Sequence, residues 1–574
     1  MEEDRGTEIW RTRYKHPCAW DMPFPPLAMT DLFAQSVAAH ADAPLVDFYG
    51  RLYSYRAVMD EALRFAAGLQ AMGVVKGDRV GLYLPNVPVY LPAYFGAMLA
   101  GATVVNFSPL YTARELEAQV EDSGTRIMVT LDVPALQPTA LEVLGRSSLE
   151  RLVIARLEQM LPFVQGIGIR LFRRSEILAV PHRPDVIEWR AALGATPPRA
   201  VAIDPLTDLA LLQYTGGTTG TPKGAMLTHQ NLSANARQVV AIDPHRGERD
   251  MILGVLPFFH VFANACVLNR TVHDGGCIAM LPRFQAGQAL KTLERVAATA
   301  MPGVPTMYQA LLDHPAMAKT RFSSLRVCVS GGAPLSAPLK QRFEQVAGGR
   351  LIEGYGLTET SGVATSNPYE GEERPGTIGQ PVPATRLRLL DKEDPTRAAP
   401  PGEPGELIVN GPQVMLGYWN RPEAAASAFA ELDGERWLRT GDIATIDADG
   451  FARIVDRSKD MIAVGGFKVF PSQVEAVLLQ HPAVKEALVI GVSDSYRGEM
   501  PRAFVTLNGD DEANGAAANA EDGAVDGETL KAWVNDRLGK HERVDAVVVR
   551  LSLPKTMVGK LDRKALREEI AAPA

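Results

Sequence analysis

A chain of 574 residues is too long for one hydrophobic core and must divide into two or more domains. An apolar share of 46% and a charged share of 22% are those of an ordinary globular protein. A net charge of −8 excludes a broadly basic nucleic-acid-binding face, although a local basic pocket could still hold a small polyanion.

The chain opens Met1-Glu-Glu-Asp-Arg5, which is too acidic for a secretory signal, and no apolar stretch follows it. Residues 57–72 place Val58, Ala62, Phe65, Ala66 and Leu69 on one helical face, and Gly73 ends the run. The apolar stretch Val80–Phe107 is interrupted by Pro85, Asn86, Pro88, Pro92 and Asn106. It therefore predicts a strand, a helix and a strand rather than a membrane span, with strands at Val80–Leu84 and Ala102–Asn106. Thr112 and Glu115 form a capping box that opens a helix through Val120, and Ile127–Thr130 is again strand-like. Strand and helix alternating at this spacing imply a parallel sheet with helices on both faces.

Leu161–Val180 mixes Leu161, Phe163, Val164, Ile167, Ile169, Leu171 and Phe172 with Arg170, Arg173 and Arg174. A basic amphipathic stretch of this kind could rest on an anionic bilayer; the other reading is a strand and helix packed on the large domain. The α/β pattern recurs through 209–227, 251–280 and 296–332. Leu407–Ile454 has short strands and few helices. Beyond Asp456 a helix from Pro471, strands at Ala487–Val492 and Ala503–Leu507, a helix at Leu530–Leu538 and a strand at Ala546–Leu551 suffice for a compact domain of about 115 residues. Asp510–Glu528, rich in Ala, Gly and acidic residues, reads as a mobile surface insertion. Cys18, Cys266, Cys277 and Cys328 form no C-x-x-C pair and no zinc-like cluster, which fits a reducing cytoplasmic compartment. The expected fold class is α/β. A large multi-layer N-terminal domain with parallel-rich sheets and a β-rich subdomain at 407–455 precedes a small mobile α+β C-terminal domain.

Residues 214–224 read Tyr-Thr-Gly-Gly-Thr-Thr-Gly-Thr-Pro-Lys-Gly, directly after the apolar run Leu209–Leu212. Gly216, Gly217, Gly220 and Gly224 allow bare N–H groups to approach phosphate oxygens. Thr215, Thr218, Thr219 and Thr221 can donate to those oxygens or sit on a metal, and Lys223 adds a point charge. Pro222 before the lysine and Gly224 after it distinguish the loop from a Walker motif. In Glu353-Gly-Tyr-Gly-Leu-Thr-Glu-Thr360, Tyr355 offers a plate for a purine between Gly354 and Gly356, and Thr358 and Glu359 suit a phosphate oxygen and Mg²⁺. Leu438-Arg-Thr-Gly-Asp442 presents a carboxylate that can accept ribose hydroxyls. Ile454-Val-Asp-Arg-Ser-Lys-Asp460, Gly465-Gly-Phe-Lys468 and Pro554-Lys-Thr-Met-Val-Gly-Lys560 follow.

In this order, from Asp31 to Arg567, these stretches resemble the adenylate-forming acyl-CoA synthetase superfamily, and within it bacterial long-chain fatty-acid–CoA ligases. Ser108–Glu117, Gly224–His229 and Gly411–Trp419 carry the likeness further. The resemblance implies an enzyme that converts a fatty acid to acyl-AMP with ATP and Mg²⁺, releasing pyrophosphate, and then passes the acyl group to coenzyme A. It assigns Thr215 to Gly224 to the ATP phosphates and Thr215 and Glu359 to Mg²⁺. Gly331, Gly332, Ala333, Pro334 and Tyr355 would line the adenine pocket, Asp442 and Arg457 would hold the ribose, and Lys560 would reach the carboxylate and α-phosphate. Lys459 would be the hinge within 456–460, between a large domain at 31–455 (after an extension at 1–30) and a small one at 461–574. Gly465, Gly466 and Lys468 would line the coenzyme A tunnel. His260 would gate or orient the carboxylate in Leu256–Ala263; Val261, Phe262, Gly303, Val304 and Thr306 would border the alkyl tunnel. Phe258-Phe259 replaces the usual aliphatic-Tyr pair, and Gly466-Phe-Lys468 the usual Gly-Phe-Asn. The first departure bears on chain length, the second on pantetheine contacts. The rival readings are a ligase that passes the acyl group to a carrier protein or stops at the acyl-adenylate, one for medium-chain or aryl acids, and a non-catalytic membrane-associated acyl-binding protein. Nucleic acid is not an expected partner; a homodimer and peripheral contact with the inner face of the cell membrane are open.

Overall fold

The computed structural model of the chain describes residues 9–195, 197–215, 222–372, 374–391, 394–457, 460–464, 467–494, 497–508, 525–556 and 560–571, with the backbone alone at 174, 457, 467, 468 and 571. The chain divides into two compact units. One comprises Met1–Leu387, Val409–Leu438 and Ala448–Phe451; the other comprises Arg388–Ile408, Arg439–Asp447 and Ala452–Ala574.

Among the described residues, the first unit contains a seven-stranded sheet. It runs Val186–Glu188, Arg151–Ala155, Thr125–Leu131, Arg79–Leu82, Thr103–Asn106, Leu209–Thr215, Lys223–Thr228. Every pair is parallel except the last, a hairpin in which Thr215 lies opposite Lys223. Val80, Leu82, Val104, Val105, Met128, Leu211 and Leu212 are buried, as expected of parallel strands covered on both faces. The Tyr55–Ala71 helix is capped by Ser54, whose side chain accepts from the Ala57 N–H, and it buries the predicted face. It packs against Tyr90–Leu99, a helix apolar almost all round and buried accordingly. The Thr112–Glu115 capping box is present, but its helix runs to Ser123 rather than stopping at Val120.

A second sheet, nine-stranded among the described residues, has a parallel centre of Pro44–Phe48, Cys277–Met280, Met251–Gly254, Ala300–Gly303, Val327–Ser330 and Arg350–Tyr355, with antiparallel strands at both edges. Parallel strands end together. Gly303, Ser330 and Glu353 therefore sit side by side at one sheet edge, the carboxyl side where ligands bind in such sheets.

The expected strand within 161–180 is not found among its described residues. The segment is a helix, Phe163–Phe172, and a short 3₁₀ turn, Arg174–Glu176. In the 407–455 region, Arg386–Leu390, Gly405–Asn410, Glu435–Ile446 and Phe429–Leu432 form an antiparallel-rich sheet, with Ala452–Arg457 beside Glu435–Ile446. Later in the second unit, Phe467–Val469, Ile462–Val464, Gly498–Leu507, Val484–Asp494 and Val547–Val549 form a sheet covered by Pro471–Leu478 and Gly527–Asn535 around Val474, Leu478, Val489, Val505, Leu530 and Val534. Of the insertion read at 510–528, residues 510–524 lie outside the described residues; Asp526 caps the Gly527–Asn535 helix by accepting from the Thr529 N–H. The large N-terminal α/β part and smaller C-terminal α+β part are those expected.

Candidate active site

The Leu209–Thr215 and Lys223–Thr228 hairpin carries the candidate phosphate-binding residues. Its register brings Thr215 and Lys223 to the mouth, from which the loop departs. Gly216, Gly217, Thr218, Thr219, Gly220 and Thr221 lie outside the described residues. The mouth is fastened from below by Asp122. Its carboxylate accepts from the Tyr214 hydroxyl at 2.6 Å and from Arg421 at 2.5 Å, and its carbonyl accepts from Trp419 Nε1 at 3.1 Å.

Residues 415–419 lie along the second hairpin strand. The Trp419 N–H donates to the Gly224 carbonyl (2.8 Å), the Met226 N–H to Gly417 (2.9 Å), and Ala225 bridges Tyr418. This brings in Tyr418, which sequence reasoning left without a role. Its hydroxyl donates to Glu359 Oε1 at 2.6 Å, and Lys223 Nζ stands 5.3 Å from its ring centre. Burial, reinforced by the Glu359 charge, pushes the Tyr418 pKa upward, so the phenol stays a donor. The Met415 N–H in turn bonds the Glu359 carbonyl at 2.9 Å. Thus Thr215, Lys223 and Glu359 meet at one place. Glu359 is held in a 3₁₀ turn, Thr358–Thr360, entered through Gly356. A Cβ on Gly356 would lie 2.1 Å from the Gly362 carbonyl oxygen, so only glycine fits there.

Gly331, Gly332, Ala333 and Pro334 leave the strand that ends at Ser330, next to the strand carrying Glu353, Gly354 and Tyr355. The Gly331 N–H donates to the Gly303 carbonyl at 3.1 Å. The Phe262 ring lies against Gly331, where an added Cβ would come within 2.9 Å of it. The candidate adenine and acyl segments therefore touch. Val304 opens the Pro305–Asp313 helix that carries Thr306, and Tyr308 ties its strands together by donating to the carbonyls of Met301 (2.7 Å) and Val329 (3.1 Å).

His260 caps the turn Val261–Ala263. Its Nδ1 accepts from the Phe262 N–H at 3.3 Å, which leaves the ring proton on Nε2 in the neutral form. A π-helical stretch, Asn264–Asn269, follows, a feature with no sign in the sequence. The segment before His260 hangs on buried neutral side chains. Asn86 Nδ2 donates to the Leu256 carbonyl (2.8 Å), and its Oδ1 accepts from the Phe258 N–H (2.8 Å). Tyr90 donates to the Phe258 carbonyl (3.0 Å) and Gln213 to that of Phe259 (2.8 Å). Asn106 joins the last two, accepting from Tyr90 at 2.7 Å and donating to Gln213 at 3.1 Å. These residues were missed. For Asn86, Asn106 and Gln213 the signal was a polar amide ending or interrupting an apolar run; Tyr90 had none. Phe258 packs edge-on to Tyr90, with ring centres 5.4 Å apart.

In the second unit, Asp442 lies opposite Arg457 on neighbouring antiparallel strands, so the two candidate ribose ligands are paired by register. Asp442 is 3% exposed; its N–H bonds Thr440 Oγ1, which donates to the Leu407 carbonyl. Lys459, Gly465 and Gly466 lie outside the described residues; Lys468 is opposite Ala463. Asp460 contacts Arg563 (3.6 Å) and Arg567 (3.2 Å), tying the proposed hinge segment to the last helix. The Thr556 N–H donates to the Lys560 carbonyl (2.6 Å), and the Lys560 N–H donates to Thr556 Oγ1 (3.2 Å).

Residues 33–419 match the AMP-binding enzyme family, and residues 473–560 match the AMP-binding enzyme C-terminal domain. The chain is similar to the long-chain-fatty-acid–CoA ligase of Bacillus subtilis (strain 168), at 39% identity over 98% of each protein. It is also similar to the feruloyl-CoA synthase of an Amycolatopsis species, at 35% identity over 92% of this chain and 96% of that one. Among solved structures, an anthranilate CoA ligase, AuaEII, in complex with anthranoyl-AMP superposes with a TM-score of 0.81 at 26% identity, covering 96% of this chain and 98% of that one. With one family match spanning most of its length and a second over its C-terminal part, the chain belongs to the AMP-binding enzymes and has their adenylate-forming fold.

Proposed function

We propose that this chain is an AMP-forming acid–thiol ligase that activates a long-chain fatty acid with ATP and transfers it to coenzyme A. The observation that carries the reading is the meeting of Thr215, Lys223, Glu359 and Tyr418 at the mouth of the 209–228 hairpin. The relative from Bacillus subtilis bears that activity in its name.

In the first step a carboxylate oxygen attacks the α-phosphorus, a P–O bond forms, and pyrophosphate leaves. Two anions must approach, so cationic groups have to offset the repulsion. Lys223 serves the phosphates, and Lys560, from the second unit, serves the substrate carboxylate and α-phosphate. Asp442 and Arg457 hold the ribose, while Gly331–Pro334 and Tyr355 receive the adenine. In the second step the coenzyme A thiol, entering past Gly465, Gly466 and Lys468 with Lys459 as hinge, gives up its proton and forms the C–S bond at the acyl carbonyl, and AMP departs with the C–O bonding pair.

Thr215 and Glu359 offer one hydroxyl and one carboxylate, and no group of three or more His, Cys, Asp or Glu able to hold a metal occurs among the described residues. Such a sparse oxygen set fits Mg²⁺, which binds through one or two protein oxygens, substrate phosphates and water. When bound it supplies charge neutralisation at the phosphates. The Tyr418 hydroxyl meanwhile orients the Glu359 carboxylate.

His260 orients the carboxylate, and Val261, Phe262, Gly303, Val304 and Thr306 border the alkyl chain. The Amycolatopsis relative, named for an aryl acid, supports aryl acids as the second reading. A cytoplasmic enzyme with peripheral contact to an anionic membrane, and a homodimer, complete the proposed setting. The test is an acid panel followed by pyrophosphate–ATP exchange and by AMP and thioester formation, with and without coenzyme A. Palmitate and oleate should lead with strict coenzyme A dependence; preference for ferulate would install the aryl reading, and no exchange with any acid would end both.

A further inference from the structure

The described part of the N-terminal extension is a strap bonded along the first unit. Trp10 and Trp20 are buried, and their rings stack with centres 6.3 Å apart. The Tyr14 hydroxyl donates to the Pro381 carbonyl (2.8 Å), and Trp20 Nε1 to that of Thr385 (2.9 Å). Gln380 accepts from the Lys15 N–H (2.9 Å) and donates to the carbonyls of Arg13 (3.0 Å) and Asp449 (2.7 Å). The strap closes on one turn, at 448–450, which belongs to the same unit. Trp10 Nε1 donates to the Gly450 carbonyl at 2.8 Å. Arg13 pairs with one Asp449 oxygen at 2.7 Å, and Arg374 with the other at 2.6 Å. Gly450 has φ +80°, and an added Cβ would stand 2.6 Å from Trp10 Nε1, so the indole fits only against glycine.

That turn joins Glu435–Ile446 to Ala452–Arg457, the strands on which Asp442 lies opposite Arg457. Ile446 pairs with Ala452 beside the turn, and the ladder runs from there to the Asp442–Arg457 pair through an irregularity between Ile443 and Ala444. We infer that Trp10 and Arg13 are positioning residues for the nucleotide, acting through this turn on Asp442 and Arg457. Turn geometry sets the register of an antiparallel pair, and an irregularity in the ladder bends the strand beyond it. A turn pinned by an indole on one residue and a guanidinium on the next fixes the end from which both strands run. The rival role is stability alone, since two buried indoles hold the strap down whatever the turn does. That role would leave the affinity of the folded protein for ATP untouched. The inference rests on the ribose role proposed for Asp442 and Arg457.

Equilibrium dialysis of the full chain against labelled ATP and against 2′,3′-dideoxy-ATP tests this. Trp10→Ala should weaken ATP binding about tenfold and Arg13→Gln about threefold, because a binding group displaced by a fraction of an ångström loses much of its contact. Dideoxy-ATP lacks both ribose hydroxyls, so wild type and variants should bind it alike. The KM for oleate at saturating ATP should not move. Trp10→Phe, which keeps a ring but no donor, should fall between wild type and Trp10→Ala. Arg13 is largely exposed, so Arg13→Gln carries the test if Trp10→Ala does not fold. Wild-type ATP affinity in Arg13→Gln would overturn the inference, as would a loss as large for dideoxy-ATP as for ATP. Asp442→Ala is the control: if it leaves ATP binding unchanged, the ribose reading fails and the inference with it. A chain that binds the two nucleotides in this pattern but exchanges pyrophosphate with no acid would keep the strap and remove the ligase reading.

Discussion

The hairpin mouth and the segment leading to His260 lie in the same unit but are built on opposite principles. At the mouth, charged groups meet: Lys223 over the Tyr418 ring and Glu359 accepting from the Tyr418 hydroxyl. At the segment, only neutral groups do the holding: Tyr90, Asn106 and Gln213 are bonded to one another, and Asn86, Tyr90 and Gln213 to the backbone of the segment. Chemistry on phosphates needs fixed charge aimed at developing charge. A pocket for an alkyl chain needs walls positioned without leaving a charge in an apolar place. Gln213 links the two, two residues before Thr215 on the same strand.

If that contrast is functional, substitutions at charged groups should alter adenylate formation for every acid, and substitutions in the amide chain should discriminate between acids. Lys560→Ala should have the largest effect. We expect adenylate formation to fall about a hundredfold to a thousandfold, as when one strong electrostatic contact is removed, whatever the acid. Thioester formation from supplied acyl-AMP should survive, and single-turnover assays of each half-reaction would check this. Equal loss of both would reject the role given to Lys560.

Gln213→Leu probes the other side. It strips the Phe259 carbonyl and Asn106 of a partner, so stability should fall by about 2 kcal/mol, the range for an orphaned buried polar group. The KM for long acids should rise while the KM for ATP stays put; if both rise together, the two regions are not separable. Tyr418→Phe is a finer cut at the charged end. Losing one charge-assisted hydrogen bond to Glu359 should lower the adenylation rate about tenfold. Added Mg²⁺ should recover part of it, because what is lost is the orientation of a carboxylate rather than the carboxylate.

The sequence displayed the charged end far better than the neutral one, for a physical reason. Thr215, Lys223 and Glu359 stand in short stretches whose glycines and threonines form the pattern expected of a phosphate-binding loop. Tyr418 stands 59 residues from Glu359, and nothing local marks a tyrosine that bonds a distant carboxylate. The amide chain is harder still. Asn86, Asn106 and Gln213 are single polar residues in apolar runs; the Asn106–Gln213 contact is fixed by the parallel pairing of Thr103–Asn106 with Leu209–Thr215, and the partners of Asn86 lie 170 and 172 residues away at Leu256 and Phe258. Periodicity located the helices at 57–72 and 112–120 and the strands around 80–84, 102–106 and 127–130, and it marked 161–180 as an amphipathic stretch. It could not say which side faces out. That was decided by Gly166 and Ile169 turning inward, which is a matter of tertiary packing.

Acid offers the gentlest test of the neutral half. His229 opens the buried helix that follows the hairpin, and its Nδ1 accepts from the Met29 N–H at 3.3 Å. Burial drives its pKa down to about 4, against a weaker upward pull from Asp208. The folded ring therefore refuses a proton that the unfolded ring takes up near the ordinary histidine value of about 6.5. Between those two values the unfolded state binds more protons, so stability must fall as pH falls, beginning below about pH 6.5 and levelling off below about pH 4. Near pH 6 the loss from this one ring should be roughly 1 kcal/mol. His229→Gln, which can keep an acceptor for Met29 without titrating, should flatten the fall in urea midpoint between about pH 6.5 and 4 relative to the wild type. The slope left in that variant belongs to other buried rings such as His16, also held down to about 4 by burial. A variant curve parallel to the wild type would mean that His229 is already protonated in the fold, and the neutrality ascribed to this side of the hairpin would fail at its first buried ring.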